Sequence, residues 1–295
     1  MARDWESTFT FWAQGPSKTE QERYENAERQ VRQAIQDSPK LAARNITVFT
    51  QGSYRNRVNV RQESDVDIGV CCYDVYFGAY PTGMTRETLG HTGSDYTFLV
   101  FKSEVEEALV HRFGRAAVTR GNKAFDIKAN SYRVEADVAP FLEHRRYAAD
   151  RTHLSGVELR PDDGGSVINW PEQHYSNGVS KNSACGRRYK GMVRILKNLR
   201  NEMDGQGVAS AKPIPGFLVE CLVSNSPNEC FARDDFNAAV RATLAHLFNN
   251  TMSDEKCSDW GEVSELKYLF RGRQPWTREQ AHAWLGAAWN YVGFE

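Results

Sequence analysis

The spacing of apolar positions changes along the chain, and each period predicts an element. After Gly15-Pro16, the stretch SKTEQERYENAERQVRQAIQDS sets Tyr24, Ala27, Val31, Ala34 and Ile35 at helical intervals, behind a Ser-x-x-Glu capping box at Ser17 and Glu20. That helix is expected to end near Pro39. NITVFTQGS follows as a short strand with Ile46, Val48 and Thr50 on one face. In SDVDIGV the period falls to two: Val66, Ile68 and Val70 alternate with Asp65, Asp67 and Gly69, which predicts a half-buried strand at about 64 to 71.

Residues 74 to 94 are rich in Gly, Pro and aromatics and predict an irregular insertion, after which SDYTFLVFKSEVEEALVHRFG predicts a helix stopped by Gly114. AAVTRG, AFDIKA and SYRVEADVAPFLE predict three strands, divided by turns at Gly121-Asn122 and Asn130-Ser131. In the last, Val134, Ala136 and Val138 alternate with Arg133, Glu135 and Asp137. From about 145 to 180 the chain is expected to be loop-rich. Beyond 181 it predicts helices at roughly 183 to 203, 215 to 225, 232 to 250, 262 to 271 and 277 to 291. Strands first and helices afterwards describe a mixed domain over residues 1–180 and a helical domain over 181–295.

Composition narrows the classes. The 295 residues are 40% hydrophobic and 25% charged, an ordinary globular balance, and no run reaches the apolar length of a membrane span. MARDWESTFTFWAQG has neither a basic n-region nor an apolar h-region, so a cytoplasmic protein with no membrane partner is expected. Six cysteines without a Cys-x-x-Cys predict buried free thiols rather than zinc or disulfides. The formal net charge of -1 excludes a chain that is basic throughout, so bound nucleotides would need cations or a confined pocket.

Two carboxylates on one strand face, Asp65 and Asp67, repel each other and offer the fold nothing by themselves. With Asp137 they form a three-carboxylate set suited to hard divalent cations, and two such ions can organise a nucleoside triphosphate for in-line displacement. Gly52 lets backbone approach closely, and the Ser53 hydroxyl and nearby N–H groups suit terminal phosphates.

Gly52-Ser53, then Asp65-Val66-Asp67, then Asp137, resembles the signature of the polymerase-beta-like nucleotidyltransferases. GSYRNRVNVRQESDVDIGV, EADVAPFLEHRRY and NWPEQHYSNGVSKN leading to RRYKGMVRILKNLRNEM resemble, more narrowly, the bacterial cGAS/DncV-like nucleotidyltransferases (CD-NTases) of the CdnE-type clade, over about residues 17 to 250. The resemblance implies an α+β fold: a nucleotidyltransferase core of mixed sheet and flanking helices plus a C-terminal helical bundle, bilobed, with the active site in the cleft. It implies two Mg2+ ions, with Mn2+ as a substitute, held by Asp65, Asp67 and Asp137, and Asp137 activating the attacking ribose hydroxyl. Gln51, Gly52 and Ser53 would hold the triphosphate, Lys181 and Lys190 would contact phosphate, and Asn177 would read a pyrimidine through its amide. The product would be a cyclic di- or oligonucleotide made from ATP, UTP or other triphosphates, which switches on an effector in antiphage signalling (CBASS). The resemblance carries no zinc insertion, and activation by long double-stranded nucleic acid is not expected.

Other readings compete at several residues. Glu135 shares a face with Asp137, and a solvated glutamate is the plainer account of it. GRRYKGMVRILKNLR carries six basic residues from Arg187 to Arg200 opposite an apolar face, so Lys190 is taken as functional and the rest as surface. Trp170 and Tyr175 suit base stacking or core packing, Trp276, Trp284 and Trp289 suit core, and His91, His144 and His174 are assigned no chemistry. Two further functions stand beside the synthase: nucleotide transfer to an RNA end, a protein or a small molecule, and a catalytically silent nucleotide-binding module.

Overall fold

The computed structural model describes residues 3–60 and 65–295. In chain order its elements are α1 (Trp5–Trp12), α2 (Lys18–Gln36), β1 (Ile46–Thr50), α3 (Gly52–Arg55), β2 (Asp65–Ala79), α4 (Phe98–Phe113), β3 (Val118–Arg120), β4 (Phe125–Ile127), β5 (Glu135–Tyr147), β6 (His153–Leu159), β7 (Val167–Asn169), α5 (Pro171–Ala184), α6 (Tyr189–Gly205), α7 (Gly216–Ser224), α8 (Phe236–Asn250), α9 (Asp254–Cys257) and α10 (Arg278–Val292). Two compact units result. Among the described residues, the sheet unit takes 17–54 and 65–171, and the helical unit takes 3–16, 55–60 and 172–295. Ser64, where the carboxylate strand was expected to open, lies outside the described residues together with 61–63.

The sheet runs in the order β1-β2-β5-β4-β3, with β6 added to β5 and β7 to β6. Among the described residues, only β2 and β5 pair in parallel; the other pairings are antiparallel. Pro140 in β5 donates no hydrogen bond, and it falls between the stretch paired with β4, which ends at Val138, and the stretch paired with β6, which starts at Leu142. One sheet face is apolar. Val66, Ile68 and Val70 of β2 and Ala136 and Val138 of β5 bury there against Tyr24 and Val31 of α2 and Phe101, Val105 and Leu109 of α4. The capping box of α2 forms as the sequence implies: Glu20 N–H donates to Ser17 Oγ at 3.3 Å, and Ser17 N–H donates to Glu20 Oε2 at 2.7 Å. Thr97 caps α4 and Gly114 ends it.

The helical unit has its own core, centred on α6 and α7 and closed by α8 and α10. Its members include the fully buried Leu196, Leu222, Leu244 and Trp284. The mixed sheet with its helices and the following bundle make an α+β fold.

Several expectations from the sequence are corrected. β2 continues to Ala79 instead of ending near 71, because its ladder with β5 resumes at Tyr76–Glu143 after a register shift beyond Cys72. The stretch 145–180 is ordered: β6 and β7 extend the sheet, and α5 starts at Pro171, whose missing N–H costs nothing in a first helical turn. No helix spans 262–271; Glu265 adopts φ 60° and a bridge joins Gly261 to Tyr268. The units divide at Pro171/Glu172 where the sequence reading put a boundary at 180, since α5 buries His174 and Gly178 within the helical unit. The first residues join that unit as well. α1, capped by Asp4 accepting from Ser7 N–H at 3.1 Å, buries Phe9 completely in the helical core.

Candidate active site

Residues in register on neighbouring strands point to the same face of a sheet. Asp65 and Asp67 of β2 partner Glu135 and Asp137 of β5, and Asp137 is partnered from its other side by Asp126 of β4. Their neighbours Val66, Ile68, Phe125, Ile127, Ala136 and Val138 are buried at 1% exposure or less on the core face. All five carboxylates therefore stand on the opposite face. Asp67 and Asp137 are half-buried, while Asp65, Asp126 and Glu135 are exposed.

Asp137 occupies the middle of the row Asp67, Asp137, Asp126. Burial, together with the negative charges of Asp126, Asp67 and Asp65 and a hydrogen bond to Asp126, pushes its carboxyl from the ordinary 3.8 up to about 6.

β1 delivers the Gly-Ser turn to the same place. Gln51 N–H donates to the Asp67 carbonyl at 2.9 Å, and Gly52 follows at φ 63°, a left-handed conformation that glycine adopts without strain. A Cβ at Gly52 would sit 2.0 Å from Asp67 Oδ2, so glycine also makes room for that carboxylate. Gln51, Gly52, Ser53, Asp65, Asp67 and Asp137 are thus brought together within the sheet unit. On the same strand Gly69 makes room for Phe49 of β1, whose ring would be 2.4 Å from a Cβ there.

Among the described residues, no three or more His, Cys, Asp or Glu side chains close around a common point. The donors still fit a divalent cation of the Mg2+ or Mn2+ type: all are carboxylate oxygens, and the excess negative charge that lifts Asp137 is what such a cation neutralises.

The other predicted residues lie in the helical unit, on α5 and α6. Arg55 Nη2 lies 2.7 Å from both carboxylate oxygens of Glu172, and its guanidinium stands 5.0 Å from the centre of the Tyr175 ring. Lys190 Nζ lies 5.8 Å from the same ring, and burial followed by the charge of Arg57 lowers its pKa. Tyr175 is 39% exposed, an aromatic surface flanked by two cations. Asn177 Nδ2 donates to the Val263 carbonyl at 3.0 Å. Lys181 is turned elsewhere: it donates to the Ser226 carbonyl at 2.8 Å and to Asn228 Oδ1 at 3.3 Å, and burial lowers its pKa. Asn182 accepts from Lys190 N–H at 3.1 Å in the first turn of α6.

The basic stripe of α6 is more structural than its sequence implies. Arg194 donates to the carbonyls of Ala13 and Arg57, and Lys197 is 3% exposed beside Glu220, so neither is a surface residue as expected. His174 pairs with Glu220 at 2.8 Å and His144 with Glu158 at 2.6 Å, both buried. Trp170 is buried edge-on to His144, which settles its choice between stacking and core. All six cysteines are buried and free. A cavity of about 530 Å3 in the sheet unit, lined by Tyr76, Phe77, Arg86, Tyr96 and Arg160, contains none of the predicted site residues. No helix among the described residues is long and apolar enough to cross a membrane. Asp126 escaped the sequence reading; its signal was the alternation of Phe125, Asp126 and Ile127, readable once β4 is paired with β5.

A carboxylate row on a mixed sheet, beside a Gly-Ser turn and followed by a helical bundle, is the arrangement of a nucleotidyltransferase. Residues 176–293 match the model of the cGAS/DncV-like nucleotidyltransferase C-terminal helical domain. The chain is 44% identical over 297 residues to a cyclic dipyrimidine nucleotide synthase CdnE of Legionella pneumophila, with 99% of each chain covered. It is 40% identical over 295 residues to a cyclic dipyrimidine nucleotide synthase CdnE of Cecembia lonarensis, with 100% of each covered. The structure of Rhodothermus marinus CdnE c-UMP-AMP synthase with Apcpp and Upnpp superposes with a TM-score of 0.85 at 27% identity, covering 98% of both chains. The chain belongs to the CdnE-type cGAS/DncV-like nucleotidyltransferases.

Proposed function

We propose that this protein condenses ribonucleoside triphosphates, at least one of them a pyrimidine nucleotide, into a cyclic dinucleotide or short cyclic oligonucleotide and releases pyrophosphate. The observation that carries the reading is the in-register pair Asp67 and Asp137, with Gly52 packed against the Asp67 carboxylate. The names of the Legionella and Cecembia relatives support the pyrimidine, as does the Upnpp in the Rhodothermus structure's description.

Asp65, Asp67 and Asp137 would hold two divalent cations, magnesium with manganese as a substitute. When bound, these supply charge neutralisation for the triphosphate and acidify the attacking hydroxyl. The chain's own groups do the rest. Asp137, whose carboxyl is raised to about 6 by burial and the neighbouring carboxylates, accepts the ribose hydroxyl proton. The Gln51, Gly52 and Ser53 segment offers N–H groups and a hydroxyl to the terminal phosphates. On α5, Tyr175 offers a stacking surface and Asn177 an amide whose orientation is fixed by its bond to Val263. Lys190 meets phosphate beside Tyr175, and Lys181 joins by exchanging the Ser226 carbonyl for a phosphate oxygen. The product serves as a signal to an effector in cytoplasmic antiphage defence (CBASS).

The test is incubation of the protein with Mg2+ or Mn2+ and all four labelled triphosphates, followed by phosphatase, chromatography and mass spectrometry. A phosphatase-resistant product containing uridine or cytidine, absent with Asp67→Asn, is the expected result. A labelled acceptor in place of a cyclic product would overturn it.

A further inference from the structure

Asp126 belongs to no part of the Gly-Ser, Asp-x-Asp and third-Asp pattern, yet the sheet gives it a defined position. β4 is only three residues long, Phe-Asp-Ile, and its two apolar members are buried at 0% and 1% exposure. Asp126 between them must face away from the core. The antiparallel register then sets it directly against Asp137. Strands lie about 4.8 Å apart, so the row Asp67, Asp137, Asp126 spans roughly 10 Å, and a cation between the first two remains within Coulomb reach of the third. For the fold alone this is a poor choice, because a carboxylate opposite a carboxylate in a ladder is destabilising.

We infer that Asp126 is an auxiliary carboxylate of the divalent-cation site, set opposite Asp137 by the ladder, where it adds a further negative charge to the row. The inference rests on reading the carboxylate face as a cation site. With Asp126 present, the site binds divalent cations more tightly than the three motif carboxylates do alone. A negative charge held about one strand spacing from a ligating carboxylate attracts the cation through space.

The experiment measures Mn2+ binding to the full chain by the paramagnetic resonance signal of free Mn2+, with no nucleotide present, alongside melting temperature in chelator. Asp126→Asn is expected to weaken Mn2+ binding about tenfold and to raise the melting temperature in chelator. Asp126→Glu, which keeps the charge, should recover much of the affinity. Asp67→Asn serves as the reference and should abolish the high-affinity binding. If Asp67→Asn weakens binding while Asp126→Asn leaves it unchanged, Asp126 has no part in the site, and a melting shift alone would mark it as structural. If both variants bind Mn2+ like the parent, the carboxylate face is not a cation site and the proposed function falls with the inference.

Discussion

Asp67 and Asp137 are register partners across the parallel ladder of β2 and β5, so two acidic side chains stand next to each other on one sheet face. Directly opposed like charges destabilise a sheet. Replacing Asp67 with Asn should therefore abolish cyclic-nucleotide synthesis and at the same time raise the melting temperature of the cation-free protein. Product analysis and calorimetry in chelator check both halves. A variant that lost activity and stability together would instead point to damage to the fold.

The raised carboxyl of Asp137 gives a pH dependence with a definite sign. Its folded value, about 6, lies above the ordinary 3.8 because of burial and the charges of Asp126, Asp67 and Asp65. Its stabilising contribution is therefore complete below about pH 3.8 and is lost as pH rises through about 6. In chelator, the melting temperature of Asp137→Asn minus that of the parent should grow between pH 5 and pH 7. Magnesium should raise the parent's melting temperature at pH 7 by mass action and affect Asp137→Asn much less. Loss of the carboxylate as proton acceptor should lower turnover on the order of 10²–10⁴-fold.

Gly52 combines two demands that no other residue meets. Its φ of 63° strains any L side chain, and a Cβ would meet the Asp67 carboxylate at 2.0 Å. Gly52→Ala should cost about 1–2 kcal/mol in stability from the backbone term. It should also displace Asp67 and depress synthesis further than that loss of stability explains. Denaturant unfolding and a kcat measurement at a temperature where the variant is folded separate the two effects.

Much of this site was legible because alternation on a strand is a local signal. Val66, Ile68 and Val70 against Asp65, Asp67 and Gly69 fixed the face of β2, and Ala136 and Val138 did the same for β5. The capping box and apolar stripe of α2 were equally local. What escaped depended on partners distant in sequence. α5 carries Ser, Asn and Gly through its length and buries only His174 and Gly178, so its helicity comes from the Glu220 contact and the surrounding bundle rather than from periodicity. β6 opens with three exposed residues and is held by its ladder with β5. α1 was not predicted: Trp5, Phe9 and Trp12 recur at helical spacing, but the segment is short and nothing in that spacing says which core receives them.

Asn177 tests the specificity of the site. Its Nδ2 is committed to the Val263 carbonyl, which fixes the side-chain plane and leaves recognition of a base edge to an amide of fixed orientation. Asn177→Ser puts a single hydroxyl in place of the amide and so removes its paired donor and acceptor. In a competition of all four triphosphates, uridine incorporation should fall relative to adenosine while total product changes less. An unchanged base ratio would remove Asn177 from the recognition set.

The first residues of the chain should matter for stability although they lie far in sequence from every predicted site residue. Phe9 is fully buried in the helical core and stacks on Trp5 at 5.2 Å between ring centres. Phe9→Ala removes that ring and leaves a cavity among well-packed side chains, which costs about 3–5 kcal/mol. Exposed Phe11, on the same helix at 53% exposure, provides the contrast: Phe11→Ala should stay within about 0.5 kcal/mol of the parent. Equal effects of the two substitutions in denaturant unfolding would show that α1 does not anchor in the helical core, because only its buried face carries the difference.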